Sequence, residues 1–350
     1  MSGIRLASSH RAFSVVIPGI QAREKESSSL ATPSKASARA IASYHFTESC
    51  DLAKFVALLV ANASRNISSV LAVIFLMIGT RGAFGQETSH NTGFNMFGYP
   101  GLVDMPSVES ERGTYLAFSV SHFKNQTRNT LTAKITRRLA ISFRYSSLYS
   151  VRPTTGSPPR DFFLDRSVSL HYRLFDESEN LPGVAIGTND FLGSGIYESE
   201  YIVASKAMND KLRATVGIGW GRLGTEGGFE NPLTLISDRF EDRPRLERGE
   251  GGEIEIDNWF RGDAAFFGGL TYEVNERLKF IAEYSSDSYV LEDDTAFKVA
   301  SPLNFGLKYD LRPGVTLGLN YLYGSELGAQ VTFATNPGER RFGSGLASAP

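Results

Sequence analysis

The stretch that decides the fold is Leu212-Arg213-Ala214-Thr215-Val216-Gly217-Ile218-Gly219-Trp220-Gly221, where apolar residues alternate with polar residues or glycine. A period of two places the apolar side chains on one face of an extended strand and the others on the opposite face. The same alternation recurs in 163–174, 303–311 and 315–323. Because no stretch after residue 113 keeps the 3.6-residue period of a helix, the sequence predicts an all-β fold.

Segments of this kind predict about twelve strands, joined by connections that tend to alternate between short and long. The predicted strands are 114–121, 128–136, 139–148, 163–174, 182–189, 199–207, 212–223, 263–274, 278–286, 303–311, 315–323 and 327–335. The short connections are 136–138, 209–211, 275–277 and 312–314, and the long ones are 149–162, 224–262 and 287–302. Bacterial outer-membrane barrels have this asymmetry, with short turns at one end and long loops at the other.

A soluble β-sandwich also alternates apolar and polar residues, with the apolar face inside. Two features favour an antiparallel transmembrane β-barrel of about twelve strands instead. Strands of about ten residues suit a tilted membrane crossing. Aromatic residues also gather near the predicted strand ends, as at a membrane interface: Tyr145, Tyr172, Trp220, Tyr272, Tyr284, Tyr309, Tyr321 and Tyr323. Unpaired strand edges cannot face lipid, so such a sheet must close, and the pattern leaves open whether its lumen is filled.

Residues 1–85 differ in charge from the rest of the chain. They hold nine Lys and Arg against four Asp and Glu, and the remainder holds 27 against 34. Within this leader, 67–79 (ISSVLAVIFLMIG) is apolar and is followed by the small-x-small sequence Ala83-Phe84-Gly85. This order is typical of a signal peptide cleaved near Gly85. The apolar run is shorter than the ~20 residues of a spanning helix, which is the alternative.

The chain therefore divides into four predicted segments. They are a mostly unstructured leader with the signal peptide (1–85), a Gly/Asn/Pro-rich opening segment (86–113), the β-barrel (114–335) and a flexible tail (336–350). An acidic body behind a basic leader indicates an exported protein.

Composition excludes several other classes of protein. A single Cys excludes an intramolecular disulfide framework, and five scattered His leave no Cys/His cluster for zinc. The net charge of −2 argues against nucleic-acid binding. His122 and His171 are the two His of the predicted barrel, and neither lies in a nucleophile motif such as G-x-S-x-G. We therefore expect no catalytic residue, metal or cofactor, with a lipid-modifying barrel enzyme as the alternative from another class.

Five ordered blocks between residues 93 and 335 carry a family resemblance. They are 98–107 (GYPGLVDMPS), 165–170 (DRSVSL), 183–190 (GVAIGTND), 199–206 (SEYIVASK) and 217–223 (GIGWGRL). Together they resemble the YjbH-like family of exopolysaccharide and capsule secretion proteins. Members of that family are about twice as long and carry a second barrel-like half. The resemblance therefore leads us to expect a truncated or split member, or one with a partner chain.

The resemblance implies a non-enzymatic outer-membrane β-barrel in a Gram-negative bacterium, acting in capsule or exopolysaccharide biosynthesis and export. The expected partners are outer-membrane lipid, polysaccharide, and other export proteins or the missing second barrel half. A general porin or a structural outer-membrane barrel is the alternative within the same class.

Two groups of residues are candidates for the functional site. The first is a mixed-sign set predicted to line the lumen: Arg144, His171, Arg173, Arg213, Glu273, Lys279, Glu283, Lys308 and Asp310. Such a lining fits either a saccharide-contacting channel or salt bridges that fill the barrel. The second group lies in the family-like blocks near strand ends and is predicted to form contacts at the barrel mouth: Asp165, Arg166, Asp190 and Glu200. We hypothesise that Arg166 pairs with one of these carboxylates and fixes a loop over the mouth.

Overall fold

The strands form one closed antiparallel barrel in a computed structural model that describes residues 93–108, 113–152, 157–244 and 256–336. The strands are β1 Tyr115–Phe123, β2 Gln126–Lys134, β3 Leu139–Leu148, β4 Phe163–Phe175, β5 Gly183–Asn189, β6 Ser199–Ala207, β7 Leu212–Gly221, β8 Ala264–Glu273, β9 Leu278–Tyr284, β10 Leu303–Arg312, β11 Val315–Leu322 and β12 Glu326–Thr335. Short 3₁₀ turns are found at Arg222–Gly224, Pro232–Leu235, Asp238–Phe240 and Ile256–Asn258.

The barrel closes between its first and last strands. Val120 of β1 is opposite Val331 of β12 on one side and Asn129 of β2 on the other. Each strand pairs with its sequence neighbours, so no strand edge is left open. The prediction of a twelve-stranded antiparallel barrel is confirmed, and the sandwich alternative is excluded. Every predicted strand end lies within two residues of an observed one.

The two ends of the barrel differ. At one end, which we call the short-turn end, the connections are 135–138, 176–182, 208–211, 274–277 and 313–314. At the other, the long-loop end, the longer connections are 149–162, 190–198, 222–263 and 285–302. β1 begins and β12 finishes at the short-turn end, because the number of strands is even. The predicted asymmetry of the connections is therefore present.

The outward face of the wall is apolar and exposed. Outward side chains of this kind include Leu131, Phe143, Val216, Phe266, Leu270, Leu307 and Leu319. Outward tyrosines lie near both ends, with Tyr172, Tyr272 and Tyr309 towards the short turns and Tyr145, Tyr284 and Tyr321 towards the long loops. Two aromatics predicted for this ring are buried instead. Tyr323 turns into the barrel, and Trp220 lies under a loop on the outer wall.

The leader with its apolar run 67–79 and the tail from residue 337 lie outside the described residues. Among the described residues, no helix is long and apolar enough to cross a membrane.

Candidate functional site: a plugged lumen

Residues 93–108 lie inside the barrel, and we call this segment the lumenal plug. The segment reverses direction twice, because isolated bridges join Phe94 to Pro100 and Gly101 to Pro106. Its apolar side chains pack in the lumen and are fully or almost fully buried: Phe94, Met96, Phe97, Tyr99, Leu102, Val103, Met105 and Val108. The described part of the predicted opening segment therefore fills the lumen.

Glu283 holds one side of the plug. Strand alternation on β9 directs this side chain inward, where it is buried. Its carboxylate accepts backbone N–H groups from Val103, Asp104 and Met105 at 2.8–2.9 Å, and also the amide of Asn304. A carboxylate that accepts several N–H groups in this way replaces the strand partners that the plug lacks.

Lys308 holds the plug through its carbonyl groups. This inward residue of β10 is four residues beyond Asn304, which is opposite Glu283 in the register. It donates to the carbonyl oxygens of Phe94, Gly101 and Leu102 at 2.7, 3.2 and 2.7 Å. Wall hydroxyls and an amide bond further plug carbonyls: Ser121 to Met96, Thr130 to Phe97, Thr132 to Gly98 and Gln330 to Asn95. Glu283 thus accepts hydrogen bonds from backbone N–H groups of the plug, and Lys308 donates hydrogen bonds to its carbonyl oxygens.

The plug approaches the wall closely at Gly98. Its φ of 82° lies in the left-handed region, and a Cβ atom there would be 2.4 Å from Cβ of Thr130. Glycine is required here because any side chain would both strain the backbone and collide with β2.

A buried cluster of arginines and aromatic rings lies at the long-loop end of the plug. Arg128 lies over the Phe97 ring at 3.9 Å, and Arg144 lies over the Tyr197 ring at 4.6 Å. Asp104 of the plug accepts the hydroxyl groups of Tyr289 and Tyr323. Such contacts connect the plug to the wall and to the loop after β9.

That loop, residues 285–302, covers the plug and is fixed by Arg222. The Arg222 guanidinium bonds Asp287 at 2.6 Å and Glu292 at 3.0 Å, and all three side chains are buried. Burial raises the pKa of Asp287 to about 7, although the neighbouring Arg222 lowers it. Burial also raises the pKa of Glu292.

The nine side chains predicted to line the lumen all lie at inward positions of their strands, as the burial patterns show. The structure brings Glu283 and Lys308 together on the plug. It places His171 against the Tyr201 hydroxyl at 2.8 Å and Asp310 against the Thr316 hydroxyl. Arg173 pairs with Asp176 at the short-turn end.

Arg213, Glu273 and Lys279 line a cavity of about 270 Å³ at the short-turn end. Glu273 pairs with Lys279 at 3.5 Å, and Arg213 pairs with Glu177 at 2.7 Å. The cavity is slightly smaller than the ~300–1,000 Å³ typical of small-molecule sites. It lies between the plug and the wall on this side and has both charged and apolar lining residues.

The hypothesis of an Arg166 ion pair is wrong. Neighbouring residues of a strand point to opposite faces, so Arg166 is exposed on the outer face while Asp165 points inward. Asp165 accepts the Ser194 hydroxyl, and Asp190 accepts the backbone N–H of Tyr197. Glu200 is on the outer face of β6 and bonds Arg243. The four residues do not form one group at the mouth.

Sequence reasoning missed Asp104, Arg128, Arg222, Asp287 and Glu292. The one sequence signal for Asp104 is its position between the apolar residues Val103 and Met105. If such a segment is buried, its carboxylate is buried with it and needs hydrogen-bond partners. His122 and His171 do not come together, since His122 points outward to Thr127 and His171 points inward. Within the described ranges, no group of three or more His, Cys, Asp or Glu side chains could hold a metal ion.

A family model described as "YjbH: Exopolysaccharide biosynthesis protein YbjH" matches residues 93–350, which include the plug and the whole barrel. The chain belongs to the YjbH exopolysaccharide biosynthesis family. The lipoprotein YjbH of Escherichia coli (strain K12) is 30% identical over 246 residues. Those residues make up 69% of this chain and 34% of the relative, so this YjbH family member spans about a third of the length of the curated relative it matches.

Solved barrels are similar to this YjbH family member at low identity. The KdgM porin in complex with disordered oligogalacturonate is 10% identical, with a TM-score of 0.36, covering 63% of this chain and 98% of the porin. The outer membrane protein Omp33 of Acinetobacter baumannii is 9% identical, with a TM-score of 0.33, covering 65% and 99%.

Proposed function

We propose that this YjbH family member is a non-enzymatic outer-membrane β-barrel of a Gram-negative bacterium, exported through a cleaved signal peptide and acting in exopolysaccharide and capsule biosynthesis and export. Family membership supports the polysaccharide context. The closed barrel supports the membrane location, because only a sheet without open edges satisfies its backbone in lipid.

The observation that carries the proposal is the polarity of the wall. Its outward face exposes large apolar side chains around the barrel, such as Leu131, Phe143, Val216 and Leu319. Its inward face carries hydroxyls, amides and charges that bond the plug. Water would penalise an exposed apolar band of this extent, whereas a bilayer is its natural solvent.

The presence of the plug in the lumen favours a barrel whose opening is gated over a general porin. The Glu283 carboxylate accepts buried hydrogen bonds from the plug, Lys308 donates to its carbonyl oxygens, and its apolar side chains occupy the lumen. A porin needs a continuous water-filled path. Transport through this barrel would therefore require the plug to move, after which the mixed-sign wall would meet the polysaccharide.

The partners we propose are outer-membrane lipid, an exopolysaccharide chain, and other export proteins or a second barrel half. A mixed-sign, hydroxyl-rich lumen offers the hydrogen-bonding groups that saccharides use. The cavity at the short-turn end, lined in part by Arg213, Glu273 and Lys279, lies where such a chain would meet the periplasmic side of the barrel.

The experiment that tests the function is deletion of the gene with complementation by the full chain. Outer-membrane fractionation, gel migration with and without boiling, and secreted polysaccharide are measured together. We expect a heat-modifiable outer-membrane protein and restored secretion. A His122→Asn, His171→Asn double variant should restore secretion equally, and loss of secretion in that variant with an intact barrel would favour the enzyme alternative. A soluble periplasmic protein would refute the proposal.

A further inference from the structure

Two residues that point outward from the barrel are buried. Glu200 of β6 and Trp220 of β7 are opposite each other in the strand register. They share the outer face with Ile202 and Val216, which are exposed. Glu200 is nevertheless 0% exposed and Trp220 is 2% exposed. Another part of the chain therefore covers the outer wall at this point.

The cover is the loop between β7 and β8, and we call its described residues 225–244 and 256–263 the outer-wall loop. Arg243 binds both carboxylate oxygens of Glu200 at 2.8 and 2.9 Å, and the backbone N–H of Phe260 donates to Glu200 at 2.9 Å. Burial lowers the pKa of Arg243, but the pairing with Glu200 outweighs it and raises that pKa overall, so the guanidinium stays charged. Arg243 also bonds Glu198 at 2.9 Å, so the loop supplies the cation that the outward Glu200 shares with Glu198.

Aromatic contacts hold the same loop against neighbouring strands. The Phe260 ring packs edge-on against Trp220 with centroids 5.1 Å apart, and Asn231 accepts the indole N–H at 3.0 Å. Phe229 stacks on Phe266, an outward residue of β8, at 4.9 Å. The outer-wall loop thus lies along the outside of β6–β8 rather than over the lumen.

The loop also presents apolar side chains away from the wall. Leu235 is 91% exposed, Ile236 is 78% exposed and Ile256 is 62% exposed. Leu235 and Ile256 belong to short 3₁₀ turns, and Ile236 directly follows the first of them. They belong to the loop whose Phe229 and Phe260 pack on the outward residues Phe266 and Trp220.

We propose that the outer-wall loop is a lipid-contact surface, with Leu235, Ile236 and Ile256 inserted among the acyl chains next to the barrel. The inference rests on the proposed membrane location. The packing of the loop on the outward residues Trp220 and Phe266 identifies lipid as the occupant, because this is the surface that the bilayer would surround.

The test uses full-length protein with Cys50→Ser, reconstituted in phosphatidylcholine vesicles with and without brominated acyl chains. Single variants Leu235→Cys, Ile236→Cys, Leu270→Cys and Glu241→Cys carry an environment-sensitive fluorophore. We expect brominated lipid to reduce the emission at positions 235 and 236 as much as at wall position 270, and to leave position 241 unchanged.

The outcomes separate this inference from the proposed function. Quenching at position 270 without quenching at 235 and 236 would overturn the lipid-contact surface while leaving the membrane barrel intact. No quenching at 270 in a heat-modifiable, folded protein would overturn the membrane location itself. Equal quenching at 235 and 241 would also contradict the inference, because the contact would then not follow the apolar side chains.

Discussion

The lumenal plug and the outer-wall loop are both irregular segments that lie against the same barrel, one inside and one outside. The plug has no strand partner for much of its backbone, so wall side chains bind its N–H and carbonyl groups, as Glu283 and Lys308 do. The outer-wall loop is attached through the Glu200–Arg243 pair, the Trp220–Phe260 and Phe229–Phe266 ring contacts, and a backbone bridge between Phe229 and Ala264. Inside, wall side chains bond the backbone of the plug. Outside, side chains of the loop mostly meet side chains of the wall.

The difference follows from the polarity of the two wall faces. An inward position tolerates charge, because the plug or water can bond it. An outward position faces an apolar surrounding, so a charge such as Glu200 is stable only under a cover that neutralises it. Breaking one attachment should therefore open the lumen, and breaking the other should free the loop without opening the lumen.

The largest effect is expected from Glu283→Ala, which removes the acceptor of three plug N–H groups. Each buried donor left without an acceptor costs about 1–3 kcal/mol. We expect the plug to loosen and the reconstituted protein to change from closed to persistently conducting in planar bilayers.

Glu273→Ala is the matched control, because Glu273 lies on the same inner face but pairs with Lys279 and does not bind the plug. It should remain closed. A Glu283→Ala protein that keeps its heat shift and conducts no more than the control would show that Glu283 does not hold the plug.

The next effect concerns the outer wall. Arg243→Met leaves the buried Glu200 carboxylate without its cation, and breaking a buried pair costs about 3–5 kcal/mol. Protease cleavage within 232–244 should therefore accelerate while the lumen stays closed. In Arg239→Met the lost pair with Asp257 is exposed and worth about 0–1 kcal/mol, so cleavage should match the unmodified protein. Equal cleavage of the two variants would contradict the role of Arg243.

Alternation predicted the strands and their two faces, and the strand lengths and the aromatic residues near strand ends then favoured a barrel over a sandwich. The plug could not be predicted in the same way. Residues 93–108 have no period, and their partners lie far along the chain, as with Val103 and Glu283. Which wall side chain meets which plug group depends on the register of a closed barrel, and no local pattern contains that information.

The predicted places of Arg166 and Glu200 at the barrel mouth were wrong, although the sequence contained the signal for their outward orientation. Asp165 and Arg166 are adjacent on one strand and must face opposite sides. Glu200 has the parity of Ile202 and Ala204, which places an acidic residue on the apolar face. An outward carboxylate of this kind indicates a covering segment, and Arg243 in the loop after β7 is the cation that Glu200 binds, together with Glu198.

A smaller effect is expected from Gly98→Ala in the plug. The left-handed φ of 82° costs a residue with a side chain about 1–2 kcal/mol, and the new Cβ would also meet Thr130. We expect intermittent channel openings, fewer than in Glu283→Ala. Gly318→Ala serves as the control, because its backbone φ is ordinary and the nearest atom would be 3.3 Å from the new Cβ. Silent recordings from Gly98→Ala would show that the plug tolerates the side chain.

The smallest expected effect is a pH dependence in the attachment of loop 285–302 that the outer-wall loop does not share. Asp287 in loop 285–302 has its pKa raised to about 7 by burial, against about 3.9 for an unperturbed Asp. Between these values the attached loop binds a proton that the detached loop releases, so the free energy of detachment falls as pH rises from about 4 to about 7. Glu292, whose pKa is also raised, acts in the same direction.

Hydrogen exchange of loop 285–302, corrected for the intrinsic pH dependence of exchange, should therefore show stronger protection at pH 5 than at pH 8. Asp287→Asn should reduce this slope to the part that Glu292 contributes, while Asp238→Asn in the outer-wall loop should leave it unchanged. The outer-wall loop should show no matching slope, because Arg243 stays charged throughout this range. A slope shared by both loops would mean that pH acts on the whole barrel, and the distinction between an inner and an outer attachment would fail at this point.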